Sequence, residues 1–398
     1  MVDSKAYRKA LDLLQQASTP KGFVAAVQEF DNYKRVWTRD GMVTCIAALL
    51  SGESNLIQTA KTTIETLFSN QHKNGFMPSN VSADGSVSYG GTSGRADNPS
   101  WAVIGLCAYS LVTADKTLWN KYQREVEKCF EVLEAWEFNG KHLIYVPQSG
   151  DWADEYIQHG YILFDQLLRL WALRLCAKLS PNQYRNEKAR QITKAIETNF
   201  WNVDGKADAY APNLSHQLKG SSAAFWLMGF NPARVYKYFD LQANVFCLSL
   251  GIGNEENSRS VIEFLKKFND GKQSMLPSFY PTIAEDSADM NELRNNYAYS
   301  FRNKPGYFHN GGLWPVWNGF LSAALSFTGE HDFAKAILSA VHNSNASADF
   351  FNECLQGFSQ QPCGVPNCTW SAAGAVIAEQ ALVNDDFKQL FTFNEFEL

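Results

Sequence analysis

Trp37-Thr38-Arg39-Asp40-Gly41-Met42-Val43-Thr44-Cys45-Ile46-Ala47-Ala48-Leu49-Leu50-Ser51-Gly52-Glu53-Ser54 holds one copy of the pattern that sets the fold. A loop with aromatic and charged residues runs straight into an apolar helical stretch, Met42 to Leu50. A short polar turn, Ser51 to Ser54, ends it, and a second helical period covers 54–70. The alternation recurs. Helical periods fall near 3–17, 98–113, 117–137, 156–178, 181–200, 221–229, 232–250, 257–268, 312–327, 331–345 and 369–382. Short turns such as Thr113-Ala114-Asp115-Lys116, Ser180-Pro181-Asn182 and Thr328-Gly329-Glu330-His331 alternate with long loops near 30–39, 71–97, 138–155, 202–221, 269–311 and 346–368. Strand signals are brief, as at His142-Leu143-Ile144-Tyr145-Val146, and strand–helix alternation is absent. The expected fold is all-α, with six helical hairpins in a ring and the six long loops on one rim. No interdomain linker is visible, so 1–398 is expected to be one domain.

The 398 residues are 45% hydrophobic and 19% charged, enough for a large core. Net charge is −6 and no basic run occurs, which argues against a nucleic-acid partner. No apolar run approaches membrane-spanning length, so no membrane partner is expected. The segment Met1 to Tyr7 lacks an apolar signal region, which points to the cytoplasm and leaves signal-independent export open. Cys45, Cys107, Cys129, Cys176 and Cys247 fall within apolar helical patterns, as free thiols in a reducing compartment do. Cys354, Cys363 and Cys368 cluster in a loop, but zinc sites use a tighter spacing, so no metal is expected. Oligomeric state is not readable. The 11 Trp, 16 Tyr and 27 Phe serve mostly as core, with a surplus suited to stacking on sugar rings.

Two acidic segments stand about 200 residues apart: Ser149-Gly150-Asp151-Trp152-Ala153-Asp154-Glu155 and Phe351-Asn352-Glu353. Two carboxylates facing each other across a sugar ring are what glycosidic hydrolysis requires. Trp152 and the like charge of Asp151 would raise the pKa of Asp154, as a general acid needs. Asp154 also fits a helix cap, and Glu155 and Asp165 compete for the acid role. Glu353, between Phe351 and a Gly/Pro-rich loop, is the candidate general base. Arg39 and Asp40 can together bind two hydroxyls while Trp37 stacks on a ring, although Asp40 also fits a cap beside a surface Arg39. Asp97, in Arg95-Ala96-Asp97-Asn98-Pro99, suits the rim or a cap. Tyr307-Phe308-His309-Asn310-Gly311-Gly312-Leu313-Trp314-Pro315 delivers His309, Asn310 and Trp314 just before an apolar helix, and Trp370 opens another.

These residues resemble known families. Trp37-Thr38-Arg39-Asp40 is similar to the glucoamylase segment whose Arg and Asp bind terminal glucose. Asp151-Trp152-Ala153-Asp154 has the spacing of the glucoamylase acid motif and resembles the Trp-x-Asp motif of glycogen-debranching glucosidases. His309 to Pro315 is similar to the HNGGxWP segment of neutral/alkaline invertases. Phe351-Asn352-Glu353 followed by Thr369-Trp370-Ser371 looks like the invertase and debranching pattern. The resemblance runs from about residue 30 to 382 and implies an (α/α)6-barrel glycoside hydrolase that inverts configuration and needs no cofactor. It implies Asp154 as acid, Glu353 as base, and Trp37, Arg39, Asp40, Asp97, Asp151, Trp152, His309, Asn310, Trp314 and Trp370 around a carbohydrate. Glucoamylase has Glu where this chain has Asp154, and the invertase acid motif is not reproduced. The first expectation is exo-acting release of glucose from α-glucans or α-gluco-oligosaccharides; sucrose hydrolysis is the alternative. A sugar epimerase would need His pairs, and a non-catalytic sugar binder would not need both carboxylates.

Overall fold

The computed structural model describes residues 4–201, 210, 214, 224–269, 274–297, 300–346 and 351–393. It contains α1 (Ser4–Gln16), α2 (Thr38–Ser51), α3 (Ser54–Ser69), α4 (Asn98–Thr113), α5 (Thr117–Ala135), α6 (Leu163–Leu179) and α7 (Gln183–Asn199). These are followed by α8 (Leu241–Leu250), α9 (Glu255–Phe268), α10 (Ala288–Arg294), α11 (Pro315–Phe327), α12 (His331–Ala346), α13 (Thr369–Val383) and α14 (Asp386–Gln389). Helices α2, α4, α6, α8, α11 and α13 pack side by side in that order, and α13 returns to α2, closing a ring. Helices α3, α5, α7, α9 and α12 pack outside it, and α1 covers α13.

Composition decides which layer a helix joins. From Thr38 to Leu50 every residue of α2 is buried, and α4, α6 and α13 are buried nearly all round. Such helices suit only the interior of a two-layer ring. Outer helices carry one apolar stripe: α9 buries only Val261, Ile262 and Leu265. Trp101, Trp171, Phe164, Phe246 and Trp317 interlock edge to face or tilted inside the ring. Most of the tryptophan is therefore core.

Each inner helix starts where a long loop ends, so the long loops gather on one rim. Short strands stitch that rim. Strands β3 (Val36–Trp37), β4 (Asn80–Val81) and β5 (Val87–Ser88) pair antiparallel after the small β1–β2 hairpin (Ser18–Thr19, Gly22–Phe23). A second antiparallel sheet runs β6 (Tyr161–Ile162), β7 (Leu227–Phe230), β8 (Val235–Asp240) and β9 (Phe279–Tyr280). A last hairpin joins β10 (Cys354–Leu355) to β11 (Pro362–Cys363).

Several sequence expectations shift. The helical period at 221–229 is instead loop and β7 where described, and 232–250 divides into β8 and α8. Short apolar runs do not distinguish strand from buried helix. Helix α6 begins at Leu163, not 156, so Asp154 lies in a turn and caps nothing. From the expected strand His142–Val146, only Val146 forms a bridge, to Gly160. Apart from Tyr210 and Leu214, the loop expected at 202–221 lies outside the described residues. Among the described residues no helix is long and apolar enough to cross a membrane.

Helices α11 and α13 touch through backbone. A Cβ on Gly319 would come within 2.2 Å of the Gly374 carbonyl oxygen, and one on Gly374 within 2.6 Å of the Val316 Cα. Gly374→Ala is expected to lower stability by roughly 2–3 kcal/mol, measured by denaturant unfolding; Ala378→Gly, lower in the same helix, should cost about 1 kcal/mol from propensity alone.

Candidate active site

The inner helices present their N-termini to the rim, and most do so without side-chain caps. Trp37, Asp97, Ile162, Trp314 and Cys368 precede α2, α4, α6, α11 and α13 without capping side-chain bonds. Asp240 does cap α8, accepting from Ala243 N–H. The Asp97 carboxylate is not a cap. It pairs with Arg39 Nη1 at 2.7 Å, while Arg39 Nε lies 3.9 Å from Asp40 Oδ2. Both Arg39 and Asp40 are buried, which excludes a surface Arg39, and Asp40 sits within the first turn of α2. The guanidinium also lies 6.0 Å from the Trp370 ring centre. Burial opposes its charge, but Asp97 and Asp40 outweigh that and hold it firmly protonated.

Around this cation the carboxyls are crowded. Burial and the nearby Asp97 charge push Asp151 up to about 7. Its oxygens accept from Ala153 N–H at 2.9 Å and from the Gln158 amide. Burial, then Asp151, Asp97 and Asp240, raise Asp165 well above the carboxylate range. Asp165 is as deeply buried as Asp151, in the first turn of α6.

Asp154 differs from its expectation. Its side chain is 32% exposed and paired with Arg95 Nη2 at 2.7 Å. Burial raises Asp151 and also Glu155 in this segment. Glu155 turns to Arg302, which binds it through two hydrogen bonds of 2.9 and 3.1 Å.

Arg302 stands between the acidic segments, since it also acts electrostatically on Tyr33 and Glu353. Glu353 is buried. Its Oε1 accepts from Tyr33 Oη at 2.8 Å and its Oε2 from Val365 N–H at 3.1 Å. Burial raises it to about 7, against the opposing pull of the Tyr33 hydrogen bond and Arg302. The structure thus brings the segments around Asp154 and Glu353 to one rim.

The aromatic residues form a wall. Trp152 stacks on Phe279 at 5.7 Å and meets His309 and Trp314 edge-on at 5.1 and 5.2 Å. His309 lies flat on Trp314, and Trp314 meets Trp370 edge-on. Burial, then Arg302 and Arg39, drive the His309 pKa far down, so its ring is neutral. Its Nδ1 and the indole N–H groups of Trp152 and Trp370 have no partner among the described residues. Trp37 is half-buried and donates to the Asn32 carbonyl. Asn310 bonds to backbone. It accepts from Ile283 N–H and donates to the Ile283 and Asn303 carbonyls, bracing the loop.

Three residues were not singled out from sequence: Tyr33, Arg95 and Arg302. Tyr33 and Arg95 lie in rim segments with the right composition. Arg302 carries no local signal, because its partner Glu155 is 147 positions away.

The fold is that of the (α/α)6 glycoside hydrolases. A GH63 mannosylglycerate hydrolase from Thermus thermophilus superposes with a TM-score of 0.70 at 13% identity, over 94% of this chain and 99% of that one. A bacterial glucoamylase complexed with acarbose gives 0.66 at 14% identity, over 96% of this chain and 55% of that one. In sequence the chain is similar to invertases of Arabidopsis thaliana. A probable alkaline/neutral invertase A, chloroplastic, is 21% identical over all of this chain and 73% of its own length. Alkaline/neutral invertase C, mitochondrial, is 24% identical over 94% of this chain and 66% of its own. No protein-family model matches the chain.

Without substrate, Glu353 makes stability depend on pH. Its folded pKa of about 7 lies above its ordinary 4.5. The folded state therefore holds the proton more tightly, and this contribution is lost as pH rises through 7. Glu353→Gln should remove that loss, making the variant more stable than the parent at pH 8 by up to about 3 kcal/mol. Thermal melts at pH 5 and 8 check this: the gap between the two proteins should open only at the higher pH.

Proposed function

We propose that the chain is an inverting exo-acting glycoside hydrolase that cleaves an α-glucosyl unit from the end of an α-gluco-oligosaccharide or α-glucan. The observation that carries this reading is the meeting of Glu353 and the Asp151–Asp154 segment on one rim, around buried Arg39, Asp40 and Trp370. Glu353 takes a proton from the attacking water, and Asp154 protonates the departing oxygen from the opposite side. The partial exposure of Asp154 suits a group that meets a leaving group. Arg39, Asp40, Asp97 and Asp151 hold hydroxyls of the terminal ring, and Trp152, His309, Trp314 and Trp370 exclude water from it. Near-complete burial of these groups suits a pocket for one terminal sugar. The chemistry calls on no cofactor.

A second reading is sucrose hydrolysis, favoured by the invertase likeness and by His309 to Pro315. It places the same glucosyl unit in the pocket and changes only the leaving group. Asp151 is the rival for the acid, because burial pushes it up to about 7.

Glucose release should be measured from maltose, isomaltose, glycogen and sucrose. The α-glucans without sucrose support the first reading, sucrose alone the second, and silence on all four sinks both. Glu353→Gln should lose at least about 10³-fold in kcat. Asp154→Asn should be comparably slow on maltose yet turn over α-glucosyl fluoride, whose leaving group needs no proton. If Asp151→Asn shows that rescue and Asp154→Asn does not, the acid is Asp151.

Glu353 must be ionised to act, so kcat/KM should fall as pH drops below about 7. Tyr33→Phe removes a hydrogen bond to the ionised form and should move this acidic limb upward by about one pH unit. A limb that stays in place would free Tyr33 of any part in tuning Glu353.

A further inference from the structure

Cys354 and Cys363 face each other across the β10–β11 hairpin. They are register partners, and their Sγ atoms lie 2.8 Å apart. A disulfide bond measures about 2.05 Å, so closure takes side-chain movement of less than about 1 Å. Cys354 is buried and directly follows Glu353; Cys363 is half-buried and directly precedes Gly364 and Val365. Val365 holds the carboxylate, and Gly364 packs against it. Val365 N–H donates to Glu353 Oε2 at 3.1 Å, and the Val365 carbonyl accepts from Glu353 N–H at 2.8 Å. Gly364 passes so close that an added Cβ would lie 2.5 Å from Glu353 Oε2. The thiol pair is thus the rung beside the bonds that fix Glu353.

We propose that Cys354 and Cys363 form a disulfide by exchange with a small-molecule disulfide of the glutathione type, and that the bond latches the strand carrying Glu353 to the strand holding it. The more accessible Cys363 sulfur attacks first, as its thiolate. One glutathione leaves, and a mixed disulfide forms on Cys363. The Cys354 thiolate then displaces the second glutathione. Two protein thiols are oxidised to one disulfide, one glutathione disulfide is reduced to two thiols, and the two protons pass to the departing thiolates. Contact with Cys354 holds the Cys363 thiol below its usual range, whereas burial pushes Cys354 up, which fits this order of attack. Cys368 is also near but fully buried, and its backbone is bound to Phe351. The bond itself is independent of the proposed reaction; only its effect on turnover rests on Glu353 as base.

The full-length protein should be equilibrated in glutathione buffers from reducing to oxidising, alkylated, and mapped by mass spectrometry. The expected result is a Cys354–Cys363 linkage, with alkylatable thiols falling from eight to six. The oxidised form should melt roughly 2–5 °C above the reduced form, and Cys363→Ser should melt like the reduced form in every buffer. Absence of the linkage in the wild-type map, a linkage to Cys368, or an unchanged melting point would overturn the proposal. Glu353→Gln should form the same bond, so turnover by that variant would count against the proposed reaction and leave the latch standing.

Discussion

The rim depends on the burial of one guanidinium. Arg39 sits against Asp97 and beside Asp40, and it counters the burial that pushes Asp151 toward neutrality. Buried carboxyls are tolerable only when a partner or a proton offsets the lost hydration. Asp97 is paired with Arg39, whereas at Asp165 burial and like charge favour the proton. The arrangement grades acidity across neighbouring groups within one interior, and Glu353 on the other acidic segment is governed by the same competition, with Tyr33 and Arg302 as its counterweights.

Much of the ring was legible in the chain because its helices differ in kind. A helix buried all round needs apolar residues on every face, and Met42 to Leu50 or Trp370 to Ala381 carry that signature over whole turns. The rim strands were not legible. Val235 to Asp240 is short, and its pairing with Leu227–Phe230 and Phe279–Tyr280 is decided by tertiary neighbours. The site divides the same way. Rim loops identify themselves by aromatic and charged residues before an apolar run, which locates Arg39, Asp151 and Glu353. Which oxygen meets which donor was not readable. Asp97 meets Arg39 across 58 positions, and Tyr33 meets Glu353 across 320. Asn310 shows the converse, a polar residue in a suggestive motif that bonds to loop backbone.

At 13–14% identity to the superposed structures, the side chains of the barrel have largely been exchanged while the ring persists. A two-layer helical ring asks for apolar residues of suitable volume, a requirement many sequences meet. The rim is more demanding, because each of its buried charges needs a particular partner.

The backbone contact between Gly319 and Gly374 has a mechanical consequence. At that crossing no side chain separates the two backbones, and it lies little more than a turn below the loops bearing His309 and Glu353. A shift of one helix at that point is therefore passed directly to the backbone of the other, and so from one of those stretches of rim to the next.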